Sequence, residues 1–271
     1  MSNYYTARQF AFFRIAFGIY LAWHFATLIP YSSELFSSEG VLPNPIMNPT
    51  SEIVPSIFYL EEPTHVSALL YSLMIISLCL AGGIFRPLTS LILWSGWVYL
   101  FLRNNFIANP GIPYVGWLLL ICAVVPSGEG YSILTPLQKQ TPNWHLPPLI
   151  YWGAWFLMAL GYTISGIHKL QCPSWIDGSA LIHVLNSMLA RDNWIRNSLL
   201  SFPFILQIST WVSLGAEIMF LPFGLFYHTR KWFWLLFLFL HIGILTVINF
   251  TDLTLGVLMI HVFTFDNRWL S

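Results

Sequence analysis

The sequence predicts an all-α, polytopic integral membrane bundle, because charge is scarce, mean hydropathy is high and apolar runs of about membrane length recur. Of 271 residues, 56% are hydrophobic and 8% charged, against roughly 25% charged in an average soluble domain. Eleven Lys and Arg with eleven Asp and Glu cannot coat a water-soluble globule of this size. Mean hydropathy is +0.67, so lipid is the expected solvent for most of the outside. Thirteen Trp and twelve Tyr agree, since amphipathic rings favour the membrane–water interface. A formal charge of zero gives no reason to expect a nucleic-acid partner. The expected partner is the lipid bilayer and the expected location a cell membrane, in a multi-pass arrangement.

About eight transmembrane helices are predicted, judged against the roughly 20 residues that cross a bilayer core. The first, Phe10–Ile29, is of full spanning length, contains Arg14 and lacks a small-x-small cleavage site, so it reads as a helix and not a cleavable signal. Val66–Ile84, Leu88–Leu102, Ile112–Val125, Leu149–Ile167, Phe204–Phe226, Trp232–Phe250 and Leu253–Phe265 follow. The third, fourth and eighth are short and need neighbouring helices or a locally thinned bilayer. Gly178–Ala190 is helical in pattern but carries His183 and Asn186, and is read as lying along the surface or re-entering. No sequence repeat, low-complexity tract or long linker is visible, so residues 1–271 are read as a single transmembrane domain with no large soluble domain.

Lys and Arg placement sets the expected orientation. With a cytoplasmic N-terminus, Arg8, Arg14, Arg86, Lys139, Arg230, Lys231 and Arg268 fall inside, and Arg103, Lys169, Arg191 and Arg196 outside. That bias predicts two cytoplasmic termini. The outer segments are then Pro30–His65, which holds Glu34, Glu39, Glu52, Glu61 and Glu62 without Lys or Arg, and Leu170–Asn197. Cys79, Cys122 and Cys172 form no CxxC and no even framework, and report nothing on redox compartment.

The informative residues are ionisable groups inside apolar runs, which are costly in lipid and therefore paired or functional. Arg14, about one turn into the first helix, is read as snorkelling to cytoplasmic headgroups. Glu217 shares a helix face with Ser209 and Ser213 through a four-residue recurrence. That face must look into the bundle, for structure or for function. His241 lies within Leu235–Phe250, either satisfied by a neighbouring hydroxyl or carbonyl or else handling a proton or contacting a ligand. Lys169 ends the helix Leu149–Ile167 just before Cys172-Pro173, near Trp175 and Asp177. Exposed, it is a snorkelling lysine; enclosed, desolvation makes a neutral amine available as a base. His168 and Cys172 are spaced i,i+4, but Pro173 ends the helix and no third ligand is placed, so no metal is expected. No phosphate loop, serine elbow or paired-cysteine motif is present.

Several of these stretches together resemble the horizontally transferred transmembrane domain family, which includes the membrane part of vitamin K-dependent γ-glutamyl carboxylase. Phe13-Arg14-Ile15-Ala16-Phe17-Gly18 is similar to the family's opening. Leu35-Phe36-Ser37-Ser38-Glu39-Gly40-Val41-Leu42-Pro43 resembles its first-loop signature. Ser165, Gly166, Ile167, His168, Lys169 and Leu170, followed by Trp175, Asp177 and Gly178, resemble its most specific block. Glu217 and Leu240-His241-Ile242-Gly243 fall where the family has an acid and a His. The resemblance implies a reduced quinone of the vitamin K or menaquinone type as cofactor. It also implies Lys169 as the amine that deprotonates it, with His168, Glu217 and His241 beside it and Trp175 and Tyr162 binding the quinone. The carboxylase's catalytic His has no counterpart in Asn109-Pro110-Gly111-Ile112-Pro113, and no large lumenal domain follows, so glutamate carboxylation itself is not expected. Short members resemble bacterial membrane proteins that help mature a secreted peptide. The expectation is therefore quinol-linked base chemistry on a peptide or small molecule at the outer face. The alternative is a non-enzymatic binding or transport protein, with Glu217 and His241 along a path and Lys169 an anchor.

Overall fold

The structure, a computed structural model, describes residues 4–44, 47–48, 62–133 and 143–270. Glu52, Glu61 and Lys139, used above for orientation, lie outside the described residues. Within them the chain is all-helical, and the one strand-like contact described is an isolated antiparallel bridge between Ala190 and Ile248. The helices gather into two compact units, Met1–Pro147 and Pro148–Ser271.

In the first unit, α1 (Ala7–Leu28) continues through a 3-10 turn at Ile29–Tyr31 into α2 (Ser32–Phe36). Thr6 caps α1 by accepting a hydrogen bond from the Gln9 amide, which satisfies a donor that a helix start leaves free. Next come α3 (Pro63–Ala81), α4 (Arg86–Arg103) and α5 (Ile112–Val124), each with Pro in its first turn, where a missing N–H costs nothing. α1 packs on α3, α3 on α4 and α4 on α5. The α1–α3 approach is set at Gly18, where a Cβ would stand 2.6 Å from the Ala81 amide nitrogen.

In the second unit, α6 (Pro148–Lys169) leads into three short helices, α7 (Pro173–Ile176), α8 (Ala180–Leu185) and α9 (Trp194–Leu200). Then come α10 (Pro203–Gly224), α11 (Tyr227–Val247) and α12 (Thr251–Thr264). α6 packs on α10, α10 on α11 and α11 on α12, and the α6–α10 approach is again made at a glycine. A Cβ on Gly166 would lie 2.9 Å from the Ile218 amide nitrogen. Among the described residues the two units thus share one order: a long helix, shorter helical pieces, then three helices in succession. The residues themselves show no repeat, because core positions accept many apolar side chains and only the packing order is shared.

All eight predicted runs are helices, with ends shifted by a few residues. Among the described residues, five helical stretches are long and apolar enough to cross a membrane: Ala7–Phe36, Pro63–Ala81, Pro148–Lys169, Pro203–Gly224 and Tyr227–Val247. The other three are the runs expected to be short: α4, bounded by Arg86 and Arg103, α5 of 13 residues and α12 of 14. Gly178–Ala190 departs from expectation, because only Ala180–Leu185 is α-helical. Gly178 precedes it with φ +86°, and a Cβ there would strike the side chains of Gln207 and Trp211. Beyond it Ala190 pairs with Ile248, and the Arg191 amide donates to the Val247 carbonyl at 2.8 Å.

Candidate functional site

The second unit brings together the residues that the sequence singled out. Lys169 is the last residue of α6, and its Nζ lies 2.5 Å from Glu217 Oε1 on α10. The Lys169 side chain is 25% exposed and that of Glu217 only 6%, so the pair sits at the end of the bundle with its carboxylate inward. The Trp175 ring covers the ammonium, with Nζ 4.2 Å from the ring centroid, a cation–π arrangement that strengthens when water is excluded. Glu217 Oε2 is buried without a hydrogen-bond partner. Lys169 Nζ is thus paired with Glu217 Oε1, and the pair's unused acceptor, Oε2, belongs to the carboxylate.

Glu217 reaches this position through an irregularity in α10. Pro222 stands inside the helix and has no N–H for the backbone ladder. Thr163 of α6 inserts its hydroxyl one turn earlier. Its Oγ1 donates to the Glu217 carbonyl at 3.1 Å and accepts from the Leu221 amide at 3.0 Å. The carbonyl that Pro222 leaves without an amide is that of Ile218, which the same Oγ1 reaches at 3.4 Å, so a hydroxyl from a neighbouring helix bridges the interrupted turn. The buried stripe of α10 is Leu206, Thr210, Leu214, Glu217, Phe220 and Gly224. Glu217 does face inward, but Thr210 takes the buried place expected for Ser209 and Ser213, which are half-buried.

One level deeper, the Tyr162 hydroxyl lies 2.7 Å from His241 Nε2. The Tyr162 ring packs against Phe220 and Phe237, with centroids 5.0 and 4.1 Å away, so its surroundings are side chains of the core. His261 on α12 completes the group, its ring centroid 5.8 Å from that of His241. His261 is fully buried and its Nδ1 donates to the Val257 carbonyl at 3.1 Å. That bond sets the tautomer and leaves Nε2 as an acceptor. Both His241 Nδ1 and His261 Nε2 are buried without a partner. His261 was not singled out, although it lies inside the apolar run Leu253–Phe265 and the criterion that selected His241 applies equally to it.

The remaining candidates stand elsewhere. His168 precedes Lys169 on the exposed side of α6 and does not join the pair. Asp177 is exposed and accepts the Ser179 amide at 2.8 Å. The Ser179 hydrogen bonds hold its carboxyl below the usual carboxylate range, and its place is the turn after α7. In the first unit, Glu39 is exposed at the rim of a folded loop. That loop is fastened from α4: Arg103 Nη2 donates to the Ser37 and Leu42 carbonyls at 2.8 and 3.0 Å, and Asn104 Nδ2 to the Leu35 carbonyl at 2.8 Å. The Leu35–Pro43 signature is thus a docked staple.

Arg14 overturns the snorkelling expectation. It is 1% exposed, and donates to Glu129 Oε1 at 2.9 Å and to the Tyr131 carbonyl at 2.6 Å. Arg86 Nε reaches the same Glu129 oxygen at 3.0 Å, and its Nη atoms bond the Cys122 and Val125 carbonyls. A carboxylate shared by two arginines lowers the cost of burying either, so lipid headgroups are not needed. The second unit holds the counterpart after α12, where Asp266 takes Arg230 at 2.7 Å and Arg268 at 2.6 Å on one oxygen. In both units the arginine opens the first helix of a hairpin (α4 or α11) and the acid follows the second (α5 or α12). Glu129 and Asp266 escaped notice because each lies just outside an apolar run, where an acid ordinarily meets water.

An apolar groove of about 350 Å³ runs between α4 and α5, lined by Trp94, Trp97, Phe101, Trp117 and Leu120 among others. Among the described residues no group of three or more His, Cys, Asp or Glu is placed to hold a metal ion. No protein-family model, curated protein or solved structure matches the chain. The class that fold and site define is an all-helical membrane protein with paired charges inside its helical units.

Proposed function

We propose that this chain is a membrane enzyme of the type suggested by its likeness to the carboxylase membrane core, with the Lys169–Glu217 pair handling the proton of a quinol-linked reaction on a peptide or small molecule. The observation that supports it is the 2.5 Å contact capped by Trp175, together with the unpartnered Glu217 Oε2. A buried acceptor next to a fixed positive charge suits a hydroxyl that must lose its proton, since the ammonium stabilises the oxyanion left behind. These residues fit a phenolic hydroxyl: Glu217 Oε2 would accept its proton, Lys169 would stabilise the charge and Trp175 would supply an aromatic wall. A reduced quinone, when bound, supplies that acidic hydroxyl and two electrons. Lys169 is held against Glu217 and the Trp175 ring, Tyr162 orients His241, and Thr163 holds the Glu217 turn of α10 in place. The proposed setting is a cell membrane, with about eight spans, cytoplasmic termini and the Lys169 end outside.

The test is purification from membranes, mass spectrometry for a co-purifying quinone, and turnover of that quinone under oxygen. Lys169→Arg keeps the charge and the headgroup reach of an anchor but not the geometry of a single Nζ between Glu217 and Trp175. Glu217→Gln removes the accepting carboxylate. Both are expected to fold and to lose at least about a hundredfold in turnover, the usual scale of general acid–base catalysis. Near wild-type turnover in Glu217→Gln would sink the reading. The repeated helix order favours a second reading, since internal structural repeats are common in transporters. There a bound small molecule would be recovered unchanged.

A further inference from the structure

Ionisable side chains continue through the second unit from one end to the other. At the first end stand Lys169 and Glu217, 2.5 Å apart. One turn or two inward, on the same face of α6, the Tyr162 hydroxyl meets His241 at 2.7 Å. His261 follows, 5.8 Å from His241 between ring centroids. One turn further along α12 the Thr264 hydroxyl bonds back to the Ile260 and His261 carbonyls, and the Tyr151 hydroxyl reaches the Thr264 carbonyl at 3.2 Å. Asp266, bound by Arg230 and Arg268, closes the other end. Asp266 follows two residues after the end of α12, the helix that carries His261. Met158, Trp155, Phe220, Trp234 and Phe237 shield the series, all buried.

Three atoms along this series are buried with no hydrogen-bond partner: Glu217 Oε2, His241 Nδ1 and His261 Nε2. Unpaired polar groups in an apolar interior are destabilising, and a purely structural core would be more stable with apolar residues there. Imidazole, carboxylate and phenol are also the groups that pass protons through membrane proteins. A neutral imidazole accepts a proton at one nitrogen and releases another from the other, so no net charge stays behind once the ring reorients. We infer that the second unit holds a proton path, in which a proton entering at Lys169–Glu217 passes through Tyr162, His241 and His261 and leaves at the Asp266 end. The inference rests on the proposed proton-handling role of the Lys169–Glu217 pair and is independent of quinol, substrate and turnover.

The test uses the full chain in sealed liposomes loaded with a pH-sensitive dye, without quinone. A potassium diffusion potential set by valinomycin drives protons, and dye response is compared with protein-free vesicles. Wild type is expected to pass protons faster than protein-free vesicles. His261→Gln keeps an amide donor for the Val257 carbonyl but cannot carry a proton, and is expected to lower the flux at least tenfold. His241→Gln should do the same, and Ile205→Ala, on the exposed face of α10, should leave it unchanged. Variants are compared only as folded, monodisperse species. Wild-type flux no greater than that of protein-free vesicles overturns the inference, and so does full flux in folded His261→Gln. Either result leaves the quinone assay standing, whereas flux that survives with no quinone conversion removes the proposed enzyme and keeps the path.

Discussion

At the scale of single residues, what separates this protein from a bundle of greasy helices is how each buried charge is matched. Glu129 answers two arginines, each at most 3% exposed, so removing it strands both. Glu129→Leu is expected to cost about 3–5 kcal/mol, the usual penalty for breaking a buried pair. It should be read as a fall in detergent-solubilised melting temperature larger than that of Glu39→Leu, whose side chain is exposed. An equal effect of the two would mean that the arginines find other partners. Asp266 gives a pH signature. Burial pushes its carboxyl up, but the Arg268 hydrogen bonds and the charges of Arg268 and Arg230 outweigh it, so the group lies below its ordinary range. A carboxyl depressed in the folded state contributes stability that is present above its unfolded value of roughly 3.9 and lost as pH falls through the lower folded value. Melting temperature should therefore drop on acidification below about pH 4, and Asp266→Asn should flatten that part of the curve. A wild-type curve with no acid limb would remove this account of Asp266.

At the scale of helices, the apolar runs were legible because a spanning helix must be long and almost uncharged, and that constraint is written directly in composition. The partners of the charges were not legible. Nothing in the residues says that Arg14 meets an acid far along the chain, or that Thr163 mends α10 before Pro222. The Lys169 block was picked out by its pattern, yet its carboxylate partner emerges only from the α6–α10 packing. Glycines separate two kinds of helix face. Gly18 touches the Ala81 backbone, whereas nothing lies within 4 Å of a Cβ built on Gly243 of α11. Gly18→Ala should therefore destabilise by about 1–3 kcal/mol through overpacking, and Gly243→Ala should stabilise by roughly 0.5–1 kcal/mol through backbone entropy. Thermal unfolding of the two variants reads the sign directly; a stabilising Gly18→Ala would mean that α1 and α3 are further apart than described.

For the whole molecule, the repeated order of helices was invisible in the residues and plain in the packing. Its functional groups are not repeated: the first unit has His24 beside Trp97 and Tyr20, where the second has a lysine–glutamate pair and two histidines with unpartnered nitrogens. The proposed orientation is testable with the native thiols. Cys172 is exposed after α6, whereas Cys122 is buried. An impermeant maleimide should label Cys172 in intact cells, and in a Cys172→Ser background should label His145→Cys only after lysis. The reverse pattern places the Lys169 end in the cytoplasm and both termini outside.

The shared carboxylates also set a clock on synthesis. Glu129 lies 115 residues beyond Arg14, which at 5–20 residues per second is roughly 6–23 s of elongation. Asp266 follows Arg230 by only 36 residues, roughly 2–7 s at the same rate. During its longer wait Arg14 lacks the carboxylate it meets in the folded unit. Nascent chains stalled before Glu129 should thus be cut by protease within the first unit more readily than chains stalled well past it. The order of synthesis sets the order of closure: the Arg230–Asp266 contact can form soon after its arginine is made, whereas the Arg14–Glu129 contact must wait for nearly the whole first unit.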